Sequence, residues 1–252
     1  MRFQFMGKLF AAAICSSLLV MAQPKPKSQK ELEAIQAVFS APDPDSRIKA
    51  ASELITKFAD TEFKTIALQV LAMSYQQKND IENMIVYAER TLEADPQNYA
   101  SMLMIGQGLA SRTREFDLDK EEKLGRAEKI VTQAMEIIKT APKPRPDLPD
   151  EQWEQAKKDT AADAMQTLGM VATVRKKYDD AIKFYTDSIA MGSQPDPATK
   201  VRLAVAQNLA GKYDEAIKTV DSLLALPDLH PAIKQFAMQE KQKAEQAKAA
   251  KK

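Results

Sequence analysis

Lys177-Tyr178-Asp179-Asp180-Ala181-Ile182-Lys183 recurs 35 residues later as Lys212-Tyr213-Asp214-Glu215-Ala216-Ile217-Lys218. A period of about 34–35 residues is the length of one helical hairpin, and it restricts the chain to a solenoid of stacked helix pairs. A single pair cannot bury its apolar face alone, so units must stack, and the stack leaves an extended concave surface. Such surfaces suit polypeptide ligands better than chemistry.

From Glu31 onward the pattern is helical nearly throughout. Apolar residues return at three- and four-residue spacings, and the chain has only 7 glycines in 252 residues. No stretch alternates polar and apolar residues between turn signals, so the fold class is all-α. Laid over one another, the units show matching small and large residues. A first unit places Leu71, Ala72 and Tyr75 on one helix face, turns at Lys78-Asn79-Asp80, and carries Met84, Ala88, Thr91 and Leu92 before Asp95-Pro96. A second has Ile105, Gly106 and Leu109, then Ala127, Val131, Ala134 and Met135. A third pairs Leu168-Gly169 with Tyr178, Ala181, Tyr185 and Ser188, and a fourth pairs Leu203-Ala204 with Tyr213, Ala216, Val220 and Leu223. Gly106, Gly169, Ala72 and Ala204 are small enough to let two helices cross closely. Pro96 stops one helix because it cannot continue the hydrogen-bond ladder.

This pattern resembles the tetratricopeptide repeat family. Leu168-Gly169 with Tyr178 and Ala181, Leu203-Ala204 with Tyr213 and Ala216, and Tyr75 with Asp95-Pro96 carry the resemblance. It implies a right-handed superhelical solenoid of antiparallel helix hairpins, in which the first helix of each unit faces a concave groove. By register, the groove positions are Ile66, Gln69, Met73, Gln76 and Gln77 in the first good unit, and Leu103, Gln107 and Ser111 in the second. Gln166, Met170 and Thr173 follow in the third unit, and Val201, Val205 and Asn208 in the fourth. This lining is neutral: amides pair with a peptide backbone, while Met and Val offer adaptable apolar contacts. A clamp of Lys, Arg and Asn for a C-terminal carboxylate is missing from it.

The pattern has departures. An insertion of about nine residues lies within Arg112–Gly125, charged yet holding Phe116 and Leu118. Thr140–Pro149 is a proline-dense connector, after which Asp150 is expected to cap a long helix opening Glu151-Gln152-Trp153. Trp153 either stacks on a ligand or staples that connector down. Before Thr65 a worn repeat is expected, with Ala50 one period before Met84 and Leu54 and Phe58 continuing its stripe.

The chain begins with Arg2 and Lys8 around a short basic segment, then an apolar run from Leu9 to Val20, then Val20-Met21-Ala22. These are the three parts of a secretory signal peptide. The run is shorter than the roughly 20 residues a spanning helix needs, which argues against an uncleaved anchor. A lipoprotein reading would acylate Cys15 but finds Ile14 before it. The expected organisation is therefore a signal peptide at 1–22, a flexible Pro/Lys leader at 23–30 and a helical-repeat domain at 31–252. Within the domain lie a degenerate repeat at 31–64, repeats at about 65–98, 99–140, 151–195 and 196–230, and a capping helix at 231–252. The expected destination is periplasmic or extracellular.

Chemistry finds little footing. Cleavage after Ala22 removes Cys15, the only cysteine, and His230, the only histidine, sits in an inter-helix turn suited to solvation or capping. A His-pair metal site is therefore out of reach, and no phosphate loop, dinucleotide turn or nucleophile elbow occurs. Asp179-Asp180 and Asp214-Glu215 sit where a helix begins and favour its dipole. Met102, Met104, Met135, Met165 and Met170 follow helical spacing, as core residues do. With 36 basic and 35 acidic residues, charge argues neither for nucleic acid nor for a cation store. No catalytic residue, metal site or cofactor is expected.

The favoured reading is an exported, non-enzymatic scaffold that binds a protein or peptide segment in its groove, with peripheral docking on a membrane complex left open. One alternative is an enzyme or small-molecule binder with its site at the inserted loops near Phe116 and Trp153. The other is a self-associating structural component of an envelope complex.

Overall fold

The computed structural model describes residues 24–194 and 196–250, so the signal-peptide reading of residues 1–22 lies outside the described part. Eleven helices occur among the described residues. They are α1 (Gln29–Ser40), α2 (Pro44–Lys57), α3 (Lys64–Gln77), α4 (Ile81–Ala94), α5 (Tyr99–Arg112), α6 (Lys120–Thr140), α7 (Asp150–Val174), α8 (Tyr178–Met191), α9 (Pro197–Leu209), α10 (Tyr213–Leu224) and α11 (Pro231–Ala249). The all-α expectation holds, and helices follow one another as hairpins.

Short polar residues start these helices. Ser28, Asp43, Asp80 and Asp196 each accept a hydrogen bond from a backbone N–H in the first turn they cap. Pro44 and Pro197 follow their caps directly, where a fixed φ and a missing N–H cost nothing. Three hairpins turn in one way. After α3, α7 and α9 the chain passes through a left-handed residue: Asn79 (φ 56°), Lys176 (φ 61°) and Gly211 (φ 75°). In each, the following N–H reaches back five residues: Asp80 to the Tyr75 carbonyl, Lys177 to Ala172 and Lys212 to Gln207, at 2.9, 2.9 and 2.8 Å. This is the Schellman closure, which satisfies helix-end carbonyls and fixes where the second helix begins.

Because the turn fixes the start of the second helix, it also fixes that helix's buried stripe. The stripe falls four, eight and eleven residues after the cap: Met84, Ala88 and Thr91 in α4, Ala181, Tyr185 and Ser188 in α8, and Ala216, Val220 and Leu223 in α10. In α2 the same count from Asp43 reaches Arg47, Ala51 and Leu54, of which Ala51 and Leu54 are buried. The expected equivalence of Ala50 with Met84 is therefore three residues out of register. The Asp43-Pro44 start moves the first hairpin relative to a strict period.

The chain divides into two compact units, residues 24–109 with 132–153 and residues 110–131 with 154–250. In the first, Ile35, Val38, Ala51, Leu54, Ala67, Leu68, Val70 and Leu71 form one core cluster. Tyr75 stacks on Tyr87 there, ring centroids 5.3 Å apart. The leader is tied down from Lys25 on. Lys25 N–H donates to Glu62 Oε2 (3.1 Å), and Lys27 Nζ meets Asp60 Oδ2 at 2.8 Å. Buried Glu31 accepts from Lys27 N–H (2.5 Å) and Thr61 Oγ1 (2.6 Å). The start of the connector is tied to α7 by Trp153. It is 7 % exposed and its indole N–H donates to the Ala141 carbonyl at 3.2 Å, so it is the staple rather than a ligand platform. Asp150 lies inside the first turn of α7, and its carboxylate pairs with Lys143 Nζ at 2.7 Å, a loop tie in place of the expected cap.

In the second unit one cluster gathers Ala172, Ala181, Tyr185, Leu203 and Ala206, and another Ala204, Val220, Leu223 and Ala237. Ala181 and Ala216 are both fully buried at matching positions. The insertion resolves into a loop at 113–119 and extra length on α6, a 21-residue helix. Arg175 crosses α6 beside Gly125, with Nε 3.0 Å from Glu121 Oε2 and Nη1 2.6 Å from Glu128 Oε2. Glu115 in the loop pairs with Lys176 at 2.5 Å.

Two glycines mark close helix crossings. A Cβ at Gly169 would lie 2.5 Å from Tyr185 Cε1, inside a fully buried ring. In α5 a Cβ at Gly108 would meet Met84 Cε at 2.8 Å and Ile85 Cδ1 at 2.9 Å. Met84's end can swing away, whereas the Tyr185 ring cannot. Gly169→Ala is expected to cost about 2–3 kcal/mol as overpacking. Gly108→Ala is expected within about 1 kcal/mol of wild type, because Ala's helix propensity offsets the smaller clash. Urea-unfolding midpoints of the two variants test this ranking, and equal losses would refute it.

Candidate functional site: the faces of the first helices

Within the first unit the expected positions lie on α3 and α5. Ile66, Met73, Gln76 and Leu103 are half-buried, Gln77 and Gln107 are exposed, and Gln69 is 2 % exposed with its Nε2 lacking a partner. Gln69 thus lies beneath the surface instead of lining it. Gln76 Nε2 donates to Gln107 Oε1 at 3.1 Å, so these amides join the two first helices, and Gln77 accepts from Arg47. Ile66 also packs on the core cluster of this unit.

Within the second unit Gln166, Met170, Thr173, Val201, Val205 and Asn208 are half-buried and Ser111 is exposed. The polar members again bridge neighbours. Thr199 Oγ1 donates to Gln166 Oε1 (2.8 Å), and Asn208 Nδ2 donates to the Glu240 carbonyl and carboxylate, both at 3.0 Å. Thr173 Oγ1 donates to the Gly169 carbonyl (2.8 Å) and meets the Tyr185 hydroxyl at 3.2 Å, turning toward its own hairpin. The amides expected to meet a partner are therefore largely spent on joining successive first helices. Met170, Val201 and Val205 remain as apolar side chains partly open to water.

One residue was missed. Asp163 stands three and seven residues before Gln166 and Met170, on the same helical face, at the place Ile66 holds in the first unit. The register that located Gln166 also reaches it, one turn earlier. Its side chain meets water, yet protein surrounds it, and desolvation first, then Asp159 and Asp196, push its carboxyl up to about 6. Asp159 already accepts from Ser193 N–H (2.7 Å) and Ser193 Oγ (2.8 Å), and Asp196 caps α9, so both are held near it as anions.

The remaining candidates have structural work. His230 caps α11 through Nδ1, which accepts from Ala232 N–H at 3.3 Å. Asp179 and Asp214 lie in the first turns of α8 and α10 and pair with Lys212 (2.8 Å) and Lys248. Met102 and Met104 are buried. Among the described residues no His, Cys, Asp and Glu group is arranged to hold a metal, and no helix is long and apolar enough to cross a membrane.

Comparison with known proteins decides the fold. No family model matches the chain, and no curated protein matches it. Solved structures do match. A thermophilic TPR protein of Thermus thermophilus superposes with a TM-score of 0.55 at 13% identity, over 84% of this chain and 97% of that one. The MamA protein gives 0.53 at 15% identity, over 78% of this chain and 91% of that one. The fold is tetratricopeptide-repeat-like.

Asp163 yields a pH dependence. Its folded-state pKa lies above the ordinary carboxyl value of 3.8, so the native state holds the proton more tightly than the unfolded chain. Stability therefore falls as pH rises from about 4 to 6 and levels off above. Asp163→Asn removes that loss. It is expected to stabilise the protein at pH 7.5, by no more than about 1 kcal/mol after solvent screening, and to be neutral near pH 4. Thermal melts of both proteins across this range check it, and a benefit that is the same at every pH would contradict it.

Proposed function

We propose that the chain is an exported, non-enzymatic scaffold that binds a polypeptide segment along the faces of its first helices. One observation carries the reading. Ile66, Met73 and Leu103 in the first unit, and Met170, Val201 and Val205 in the second, leave apolar surface open on consecutive first helices. The bridging amides around them hold those helices in a fixed spacing, which lowers the ordering cost of binding. Unbranched Met side chains adapt to varied partners. Asp163 adds a carboxylate beside Asp159 and Asp196, favouring a basic side chain in the bound segment above pH 6.

The alternative of a small-molecule or enzymatic site near Phe116 and Trp153 finds less support. Trp153 is buried with its N–H engaged, and Phe116 stands out in solvent, so neither lines an enclosed pocket. Export is part of the proposal and rests on the sequence of residues 1–22.

Pulldown with the chain beginning at Gln23, followed by mass spectrometry, identifies the partner. Met73→Glu with Met170→Glu is then expected to weaken binding well over tenfold while helicity persists, since both side chains are partly open. Phe116→Ser with Leu118→Ser is the control and is expected to leave that binding unchanged. The reverse pattern would move the site to the insertion. For export, N-terminal sequencing of secreted protein is expected to start at Gln23, and material retaining Met1 would disprove cleavage.

A further inference from the structure

The insertion between α5 and α6 spends its charges on holding itself in place. Arg114 N–H donates to Asp117 Oδ2 at 2.9 Å, Asp117 N–H to the Arg114 carbonyl at 3.2 Å, and Lys120 N–H to the Asp117 carbonyl at 3.2 Å. Glu115 is fastened to Lys176 and Asp119 to Lys123, at 2.5 and 2.8 Å. Thr113 at the loop's base is buried. Yet Phe116 is 88 % exposed and Leu118 107 %, the two most exposed large apolar side chains described. An anchored loop that presents two bulky apolar groups is a preformed knob with little entropy left to lose on docking.

A socket of complementary character lies on α11, in the same unit. Pro231, Lys234, Gln235, Met238, Gln239 and Gln242 line a shallow open depression along one face of that helix. Met238 is 55 % exposed. Lys241, Lys243 and Lys248 are taken by Asp221, Glu240 and Asp214, whereas Lys234 has no ion-pair partner among the described residues. Most charges on both segments are spent in such pairs, which leaves Asp117, between Phe116 and Leu118, to match Lys234: neither has an ion-pair partner among the described residues.

We propose that the Phe116–Leu118 knob of one molecule docks in the α11 depression of a second copy of the chain, giving head-to-tail self-association. Phe116 and Leu118 cover Met238 and the Pro231 ring, and the Asp117 carboxylate between them faces Lys234. Knob and socket are different surfaces, so the contact is heterologous and leaves a free knob at one end and a free socket at the other. Assembly is open-ended unless the geometry closes a ring. This surface is separate from the peptide-binding faces proposed above and stands without them.

Sedimentation of the chain from Gln23 is expected to show mass rising with concentration, with association weakened by salt as the flanking charges are screened. Phe116→Ser/Leu118→Ser lacks the knob, and Lys234→Glu/Met238→Glu lacks the socket. Each alone is expected to associate at least about tenfold more weakly than wild type. Their equimolar mixture is expected to form a pair of two chains and to grow no further, because one intact knob and one intact socket remain. Circular dichroism verifies that both stay helical, and Leu118→Gln replaces the knob variant if it does not. A wild-type mass that stays monomeric at all concentrations, a variant that associates as well as wild type, or a mixture that stays monomeric would each overturn the proposal.

Discussion

The hairpin turn is the constraint on which the remaining structure depends. A left-handed residue and a five-residue backbone closure end three of the first helices, α3, α7 and α9, at a set point. The second helix then starts at a fixed distance, and its positions four, eight and eleven after the cap must face inward. At two of those places the crossing is close enough to demand Ala181 and Ala216, both without exposed surface. Where the opposing helix carries a large ring, the small residue moves across the contact: Tyr185 in α8 is accommodated by Gly169 in α7. Volume is conserved across the crossing rather than along either helix.

Electrostatics repeats at the same period. Lys78 pairs with Asp45, Lys212 with Asp179 and Lys248 with Asp214, each lysine reaching the acidic residue two places after the preceding second helix's cap. These acids already stabilise the positive end of their helix dipole. Exposed pairs of this kind contribute little individually, on the order of 0–1 kcal/mol. Their consequence is positional, since each ties one hairpin's edge to the next within a unit. The periodic charge therefore serves the packing of one hairpin on the next.

Much of this was legible in the sequence. The Lys-Tyr-Asp-x-Ala-Ile-Lys recurrence located α8 and α10 and their buried alanines, because close crossings admit few residue types and so leave a visible mark. The first hairpin was harder to place. Asp43-Pro44 announces its second helix, but counting a fixed period back from Met84 reached Ala50 and overlooked the cap, which places Ala51 and Leu54 inward. Asp150 looked like a cap because its type fits one, but Lys143 in the connector competes for its carboxylate. The candidate faces were found by register, while the fate of their amides depended on neighbours about 31 to 33 positions away, which no local pattern encodes.

That division of labour bears on what a bound segment would meet. Gln76, Gln107, Gln166 and Asn208 each commit one amide group to an adjoining helix. A segment that displaced those amides would give up on the order of 1 kcal/mol for each bond broken. Apolar contact with Ile66, Met73, Met170, Val201 and Val205 requires no such exchange. The physical balance therefore favours a partner that presents an apolar stripe at helical spacing over one that offers an extended backbone. On the proposed reading, Asp163 adds to the charge of Asp159 and Asp196 beside it, and its raised pKa makes that addition conditional on pH. Above about 6, a basic residue in register with Asp163 gains an ionic partner.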